Sequence, residues 1–152
     1  MKNFCIIPVL FFSMNIMVCA QGNNNVTNGF IGVEYQMKIT VNGYKLTSTM
    51  VNNSSAQALK ELLTAGPITI NMRDYGNMEK VGGFGRNLPT NDERITTEPG
   101  DLILYQGNQF VIYYAPNTWS FTRLGKINGV SREELINILG EGNVTVILET
   151  TE

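Results

Sequence analysis

The pattern of apolar and polar positions predicts a chain built mostly from short β-strands. Apolar and polar side chains alternate along residues 35–41 and again along residues 67–73. A period of two places successive side chains on opposite faces of a strand. Asn42-Gly43 ends the first run and precedes a second, at residues 44–51, and this dipeptide is the strongest short-range signal for a β-hairpin.

A second hairpin is predicted near the middle of the folded part. Two nearly continuous apolar runs, at residues 101–106 and 109–115, flank Gly107-Asn108. A two-residue turn with positive φ matches the twist of its flanking strands, so we place the turn at this dipeptide. Because the strands are apolar at successive positions, we expect both of their faces to be covered. Such strands belong in the wall of a barrel or a sandwich.

Two short helices are predicted between the strands. Asn53 or Ser54 is a suitable N-cap for a helix with an apolar stripe. Ser131 and Glu134 have the spacing of a capping box at the start of the second helix.

The remaining elements complete an all-antiparallel design. Further short strands are predicted at residues 78–81, 95–97, 119–127 and 144–148. The glycine-rich residues 82–85 lack the strand–glycine–helix context of a dinucleotide site and are interpreted as a mobile loop. The predicted fold is mainly β, a closed antiparallel barrel of about eight strands, with a short helix covering each end.

The start of the chain reads as a secretory signal peptide at residues 1–20. Lys2 precedes an apolar run, and Ala20 ends that run with the small-residue pattern of a signal-peptidase site. The run is too short and too lightly flanked to be a stable membrane span. We predict cleavage after Ala20, with acylation of Cys19 in a lipoprotein signal as the alternative. Either route predicts export to the periplasm or the cell envelope.

The predicted mature chain divides into a spacer and one domain. Residues 21–33 are rich in Asn and Gly and are interpreted as a flexible spacer, followed by a domain at residues 34–152. Both cysteines, Cys5 and Cys19, precede this domain. We therefore expect it to fold without a disulfide, although its predicted compartment permits them.

Composition excludes several kinds of chemistry. The chain has no histidine, so Ser-His-Asp and Cys-His nucleophile systems are excluded. With no Cys in the domain either, we predict no metal site and no cofactor. The net charge is −2 and the basic residues are dispersed, so no nucleic-acid partner is predicted. Membrane contact is expected only through a lipid on Cys19, and the oligomeric state stays open.

The order of the predicted elements and their local sequence motifs resemble those of cyclophilins and, more closely, those of a small bacterial cyclophilin-like family of unassigned role. Residues 108–112, Asn-Gln-Phe-Val-Ile, resemble the cyclophilin strand Ser-Gln-Phe-Phe-Ile. Residues 123–127, Arg-Leu-Gly-Lys-Ile, resemble its Val-Phe-Gly-Lys-Val. The tripeptides at residues 74–76 and 99–101 are typical of the bacterial group. The resemblance spans about residues 35–148 and implies a cyclophilin-like β-barrel.

The resemblance also implies a binding groove on the side of the barrel. In cyclophilins an Arg of the third long strand is implied to support prolyl isomerisation, and a Gln, a Phe, a Trp and a His complete the groove. Gln109 matches the Gln, and Arg73 lies in the third strand without the family's Phe-His-Arg context. Trp119 lies near the family's Trp, and Val111 stands where the pocket Phe is expected. These four are the candidate groove residues; catalytic residues are not assigned.

Two of these side chains have alternative interpretations. Arg73 is a solvated residue on the polar face of its strand, a partner for Asp74 or Glu79, or a hydrogen-bond donor in the groove. Trp119 is either a core residue or an exposed ring at a turn. The acidic residues that could form a glycosidase-type pair lie in turns or strand flanks, where Asp and Glu are common, and do not point to catalysis.

Three functions are consistent with these sequence features. The favoured hypothesis is an exported, non-catalytic module that binds a peptide or a small ligand in an apolar and aromatic groove. The second is a weak peptidyl-prolyl isomerase that uses Arg73. The third is a structural or partner-binding protein of the cell envelope.

Overall fold

Nine strands and two helices follow one another along residues 34–151, the part of the chain that the computed structural model describes. The predicted signal peptide, the spacer and Cys19 lie outside the described residues. The elements are β1 (Gln36–Val41), β2 (Tyr44–Met50), α1 (Ser54–Thr64), β3 (Ile68–Tyr75), β4 (Glu79–Gly83), β5 (Glu93–Thr96), β6 (Asp101–Tyr105), β7 (Gln109–Tyr113), β8 (Thr118–Ile127), α2 (Arg132–Leu139) and β9 (Val144–Thr150).

Eight of these strands close into an antiparallel barrel. Around the ring they follow the order β2-β1-β9-β3-β4-β7-β6-β8, and the pairing of β2 with β8 joins the two ends. β5 pairs with β8 outside this ring and adds a ninth strand. The predicted fold, a mainly β closed barrel of about eight strands, is confirmed.

Inward-facing alternate residues fill the barrel with one apolar core. Met37, Ile39 and Val41 of β1 are essentially inaccessible to solvent, as their alternation predicted. The other barrel strands except β4 contribute apolar side chains in the same way, and both helices add to this core. The largest inaccessible apolar side chains here include Phe110, Met50, Met72, Leu102, Leu104 and Ile70.

The two helices lie at opposite ends of β1. Asn53 caps α1 by accepting a hydrogen bond from the backbone of Ala56 at 2.8 Å, and the hydroxyl of Tyr35 donates to the carbonyl of Ala56 at 2.9 Å. α1 is thereby held at the start of β1. At the other end, the side chain of Asn42 donates to the carbonyl of Ile138 in α2 at 2.9 Å. Helices covering the ends of the barrel are therefore confirmed, as are the Asn53 cap and the Ser131 capping box.

Neither helix in the described part of the chain is long and apolar enough to cross a membrane.

The turn between β6 and β7 differs from the prediction by one position. Residues 106–108 connect the strands, and both Gln106 and Gly107 have positive φ, at 50° and 74°. The amide of Asn108 donates to the carbonyl of Tyr105 at 3.3 Å and closes the turn. The turn is centred on Gln106-Gly107, and Gln106 adopts the left-handed conformation that the sequence pattern assigned to Asn108.

The interpretation of residues 82–85 as a mobile loop is wrong for the first two glycines. Gly82 and Gly83 belong to β4 and pair with Phe110 and Gln109 of β7. A Cβ on Gly82 would lie 2.5 Å from the carbonyl oxygen of Asn71. Glycine is needed here because β3 and β4 approach too closely for any side chain.

A buried lysine ties β4 to the loop that follows α2. The Lys80 side chain is 1% exposed, and its ammonium donates to Asp74 Oδ2 at 2.7 Å and to the carbonyls of Gly140 and Gly142 at 2.8 and 2.7 Å. All three ammonium donors are used. Asp74 also accepts from the Tyr114 hydroxyl at 2.8 Å. Arg73 was one expected partner of Asp74, whereas the cation that Asp74 binds is Lys80.

We expect Lys80→Met to destabilise the fold by about 2–3 kcal/mol, because the stem is retained while two carbonyls and a carboxylate lose a donor. Urea unfolding of the purified domain measures this change. Lys45→Met is the matched control, since Lys45 is exposed on β2, and it should change stability by less than about 0.5 kcal/mol. Equal stabilities of the two variants would contradict a stabilising role for the Lys80 contacts.

The same variant has a predicted pH dependence. Burial alone would raise the pKa of the Asp74 carboxyl, but hydrogen bonds from Lys80, Tyr114 and the Gly142 amide outweigh it and hold the pKa below its usual value. A lowered pKa stabilises the fold above the unfolded value, and this contribution is lost as the pH falls through the folded value. The stability difference between the wild type and Lys80→Met should therefore shrink in acid.

Candidate binding cleft

The barrel wall has a second apolar cluster on its outer face. Ile103, Val111, Tyr113 and Phe121 are buried there, on β6, β7 and β8. Ile95 of β5 packs against them from outside. Both faces of the β6–β7 hairpin are thus covered, as its unbroken apolar sequence predicted.

Aromatic rings give this outer cluster a defined edge. The ring of Phe121 lies 6.1 Å from that of Tyr105 in an edge-on arrangement and 5.5 Å from that of Tyr113 in a tilted one. Such offset contacts are the favourable geometries for aromatic pairs. The three rings form one continuous aromatic wall.

A cleft of about 1200 Å³ lies over this cluster. β3, β4, β7 and β8 supply most of its lining, together with Asn143 and the first two residues of β9. Arg73, Gln109 and Trp119 all line it. Three of the four residues that the resemblance singled out are therefore on one concave surface, and its size suits a peptide segment or a small molecule.

Arg73 is exposed on the outer face of β3, directly across from Val81 of β4. The four ion pairs found among residues 34–151 do not include it. The interpretation that pairs Arg73 with Asp74 or Glu79 is therefore wrong. Arg73 lines the cleft, and its guanidinium has several hydrogen-bond donors. No acidic side chain of the described residues pairs with it.

Trp119 lies at the start of β8, opposite Ile95 of β5, and its side chain is 57% exposed. The alternative of an exposed ring is confirmed and that of a core residue is excluded. Tyr75, at the end of β3, is 60% exposed and lines the same cleft. Exposed rings of this size provide flat apolar surface for a ligand.

Gln109 and Val111 occupy different depths on β7. Gln109 is half-buried and pairs with Gly83 of β4, whose missing side chain leaves the space beside the Gln109 amide open. Val111 is 1% exposed and lies between Val81 and Ile103 in the cluster beneath the cleft. Where the cyclophilin resemblance implies a pocket Phe, this chain has a buried floor residue.

Glu79 is a cleft residue whose role the sequence did not reveal. It lies at the start of β4, opposite Tyr113 of β7 and Tyr75 of β3, and is only 8% exposed. Burial raises the pKa of its carboxyl, and a hydrogen bond from the Tyr113 hydroxyl lowers it in part. The sequence pattern gave no sign of this, because its burial depends on β7 pairing alongside β4.

The Tyr113 hydroxyl connects Glu79 to the far side of the cleft. Burial raises its pKa, as does the neighbouring Glu79. The amide of Asn117 donates to this hydroxyl at 3.3 Å. Tyr113 is thus neutral over the physiological range and acts as a fixed hydrogen-bonding group.

Among residues 34–151, no group of three or more His, Cys, Asp or Glu side chains is placed to hold a metal ion.

The sequence model of the cyclophilin-like family matches residues 39–149, and the chain belongs to this family. The family has no assigned role. No curated protein matches the chain. The resemblance found in the sequence motifs is therefore confirmed at the level of the family.

One solved structure agrees with the fold. A hypothetical protein from Archaeoglobus fulgidus, determined in solution, is similar with a TM-score of 0.55 and 15% identity over 81% of this chain and 99% of that one. This likeness shows the fold alone. McbB in complex with tryptophan is similar with a TM-score of 0.49 and 14% identity over 76% of this chain and 44% of that one, which is too weak for any inference.

We expect Glu79→Gln to stabilise the domain at neutral pH. A raised carboxyl pKa means that wild-type stability falls as the pH rises from the unfolded value to the folded value. Gln carries no charge to desolvate and its carbonyl can still accept from Tyr113. Urea unfolding at several pH values tests this, and the gain should vanish below the ordinary Glu pKa of about 4.3.

Glu61→Gln is the matched control, because Glu61 is exposed on α1. It should show no such pH-dependent gain. A Glu79→Gln variant that is less stable than the wild type at neutral pH would contradict the cost assigned to the buried carboxylate.

Proposed function

We propose that the domain is a non-catalytic module that binds a peptide or a small ligand in this cleft. The observation that carries the proposal is the common placement of Arg73, Gln109 and Trp119 on one concave surface. Each offers a different contact. The Arg73 guanidinium suits a carbonyl or a carboxylate, the Gln109 amide both donates and accepts, and the Trp119 ring suits an apolar group.

The composition of the cleft supports binding over catalysis. Arg73 and Glu79 are its charged lining residues, and they lie on neighbouring strands without forming an ion pair. The hydroxyl of Tyr113, which bonds to Glu79, has its pKa raised, which makes it a poor proton donor to a substrate at neutral pH. The rest of the lining is more polar than the apolar and aromatic groove that the sequence predicted. It combines aromatic rings with neutral hydrogen-bonding groups, the amide side chains of Asn42, Asn71, Gln106, Gln109, Asn117 and Asn143.

We further propose that the protein is exported to the periplasm or the cell envelope. This proposal rests on the predicted signal peptide, with Cys19 as the alternative anchoring position.

The test uses Trp119, which is the only tryptophan of the chain. Intrinsic fluorescence and thermal shift are screened against blocked peptides and small molecules. Some ligands are expected to change Trp119 emission. We expect Gly83→Leu to lower the affinity of the domain for these ligands by about tenfold or more, because the new side chain fills cleft space. Gly83 has an ordinary strand conformation and its Cβ would meet Gln109 Nε2 at 3.5 Å, so the fold accommodates the change.

Lys45→Leu is the control, since it adds an exposed leucine on β2, outside the cleft. It should bind as the wild type does. If ligands bind equally well to Gly83→Leu, the cleft is not the site. If none of the screened compounds binds and another exported protein is retained in a pull-down, the partner-binding hypothesis replaces this one.

The weak isomerase is the second candidate, and the shared cleft of Arg73 and Gln109 favours it. We expect no acceleration of cis–trans exchange in Xaa-Pro peptides, because Val111 is buried where the proline-pocket Phe is expected. A protease-coupled isomerisation assay measures this. Turnover that is lost in Arg73→Ala and kept in Arg132→Ala, a change at an exposed residue of α2, would establish the isomerase instead.

A further inference from the structure

The Glu79 carboxyl is buried without an opposite charge from the described part of the protein. It takes no part in the four ion pairs found there. Lys80 follows it directly in sequence, but alternation along β4 sends the ammonium to the other face, where it is fully occupied. A carboxylate removed from water without a cation is costly, and such groups in proteins are normally paired.

Arg73 does not supply the missing charge. It is across from Val81, whereas Glu79 is across from Tyr75, so the two charged groups are diagonal neighbours on adjacent strands. The lining of the cleft thus presents one acidic and one basic group that do not neutralise each other. A ligand that meets both must carry an acceptor for Arg73 and a donor for Glu79.

Tyrosines lie on both sides of this carboxyl. Tyr113 and Tyr75 are its cross-strand neighbours on β7 and β3, and both line the cleft. Cross-strand neighbours have Cβ atoms about 4.5–5.5 Å apart, so a group held at the carboxyl is within reach of both rings. A cation gains from aromatic faces as well as from a carboxylate, whereas an anion or a neutral polar group does not.

We infer that the ligand is a peptide whose lysine side chain enters the cleft and donates its ammonium to the Glu79 carboxyl, while Arg73 donates to a peptide carbonyl. This inference rests on the proposed binding function. An ammonium on a flexible alkyl stem fits the site, because the stem can lie along the apolar floor while the head reaches the carboxyl. It also supplies the positive charge that the buried carboxyl lacks.

The experiment compares three sets of acetylated and amidated random tetrapeptides that differ at one fixed position, which is lysine, norleucine or glutamate. Blocking both ends removes the terminal charges. Affinity is measured through Trp119 fluorescence. We expect the lysine set to bind about tenfold or more tightly than the norleucine set, the size of a charge-assisted hydrogen bond. The glutamate set should bind most weakly.

Two variants test whether Glu79 is responsible. Glu79→Gln should bring the ratio of lysine to norleucine affinity to about one, and the matched Glu61→Gln should keep the wild-type ratio. A lysine preference that survives in Glu79→Gln overturns the inference.

The two possible failures are distinguishable. If the lysine and norleucine sets bind equally well to the wild type, the cleft binds peptides and the lysine assignment is wrong. If no peptide set binds, the inference that the ligand is a lysine-containing peptide is overturned. The proposed function then falls as well only when the small-molecule arm of the screen is also negative.

Discussion

Closure of the barrel is the constraint on which the other features depend. The last link of the ring is a three-residue pairing, in which Ser48, Thr49 and Met50 oppose Ile127, Lys126 and Gly125. It requires a close approach, because a Cβ on Gly125 would lie 2.5 Å from the carbonyl oxygen of Thr49. Without this contact β8 would be an open edge. With it, the sheet encloses a barrel interior whose ends the helices cover, and it has an outer surface on which the cleft lies.

The hairpin of β6 and β7 serves both sides of that wall. Phe110 and Ile112 face the core, while Val111 and Tyr113 face the outer cluster. One run of successive apolar residues therefore stabilises the fold and forms the floor of the cleft. The same stretch carries the family motif, and its departure at Val111 changes the floor while leaving the barrel intact.

Much of this architecture could be predicted from local sequence, because local rules control it. Asn42-Gly43 specifies its turn through backbone conformation, and the Asn53 and Ser131 caps bond to amides within three residues. The family resemblance also led to three of the residues that line the cleft, Gln109 through a matching motif and Arg73 and Trp119 through their positions along the chain. The burial and the partners of Glu79 and Lys80 could not be predicted from local sequence, since those partners lie on other strands or after α2. The turn at Gln106 was missed because propensity does not favour a glutamine there.

The Lys80 contacts fix the side of the cleft that β3 and β4 form. Glu79 and Lys80 are successive residues of β4, so the strand that presents the acid to the cleft is fastened from behind by three hydrogen bonds. Its neighbour β3 is held through Asp74 in the same network. This side of the cleft is therefore set before any ligand arrives. For the proposed binding function, this means that little binding free energy is spent on ordering this side of the cleft.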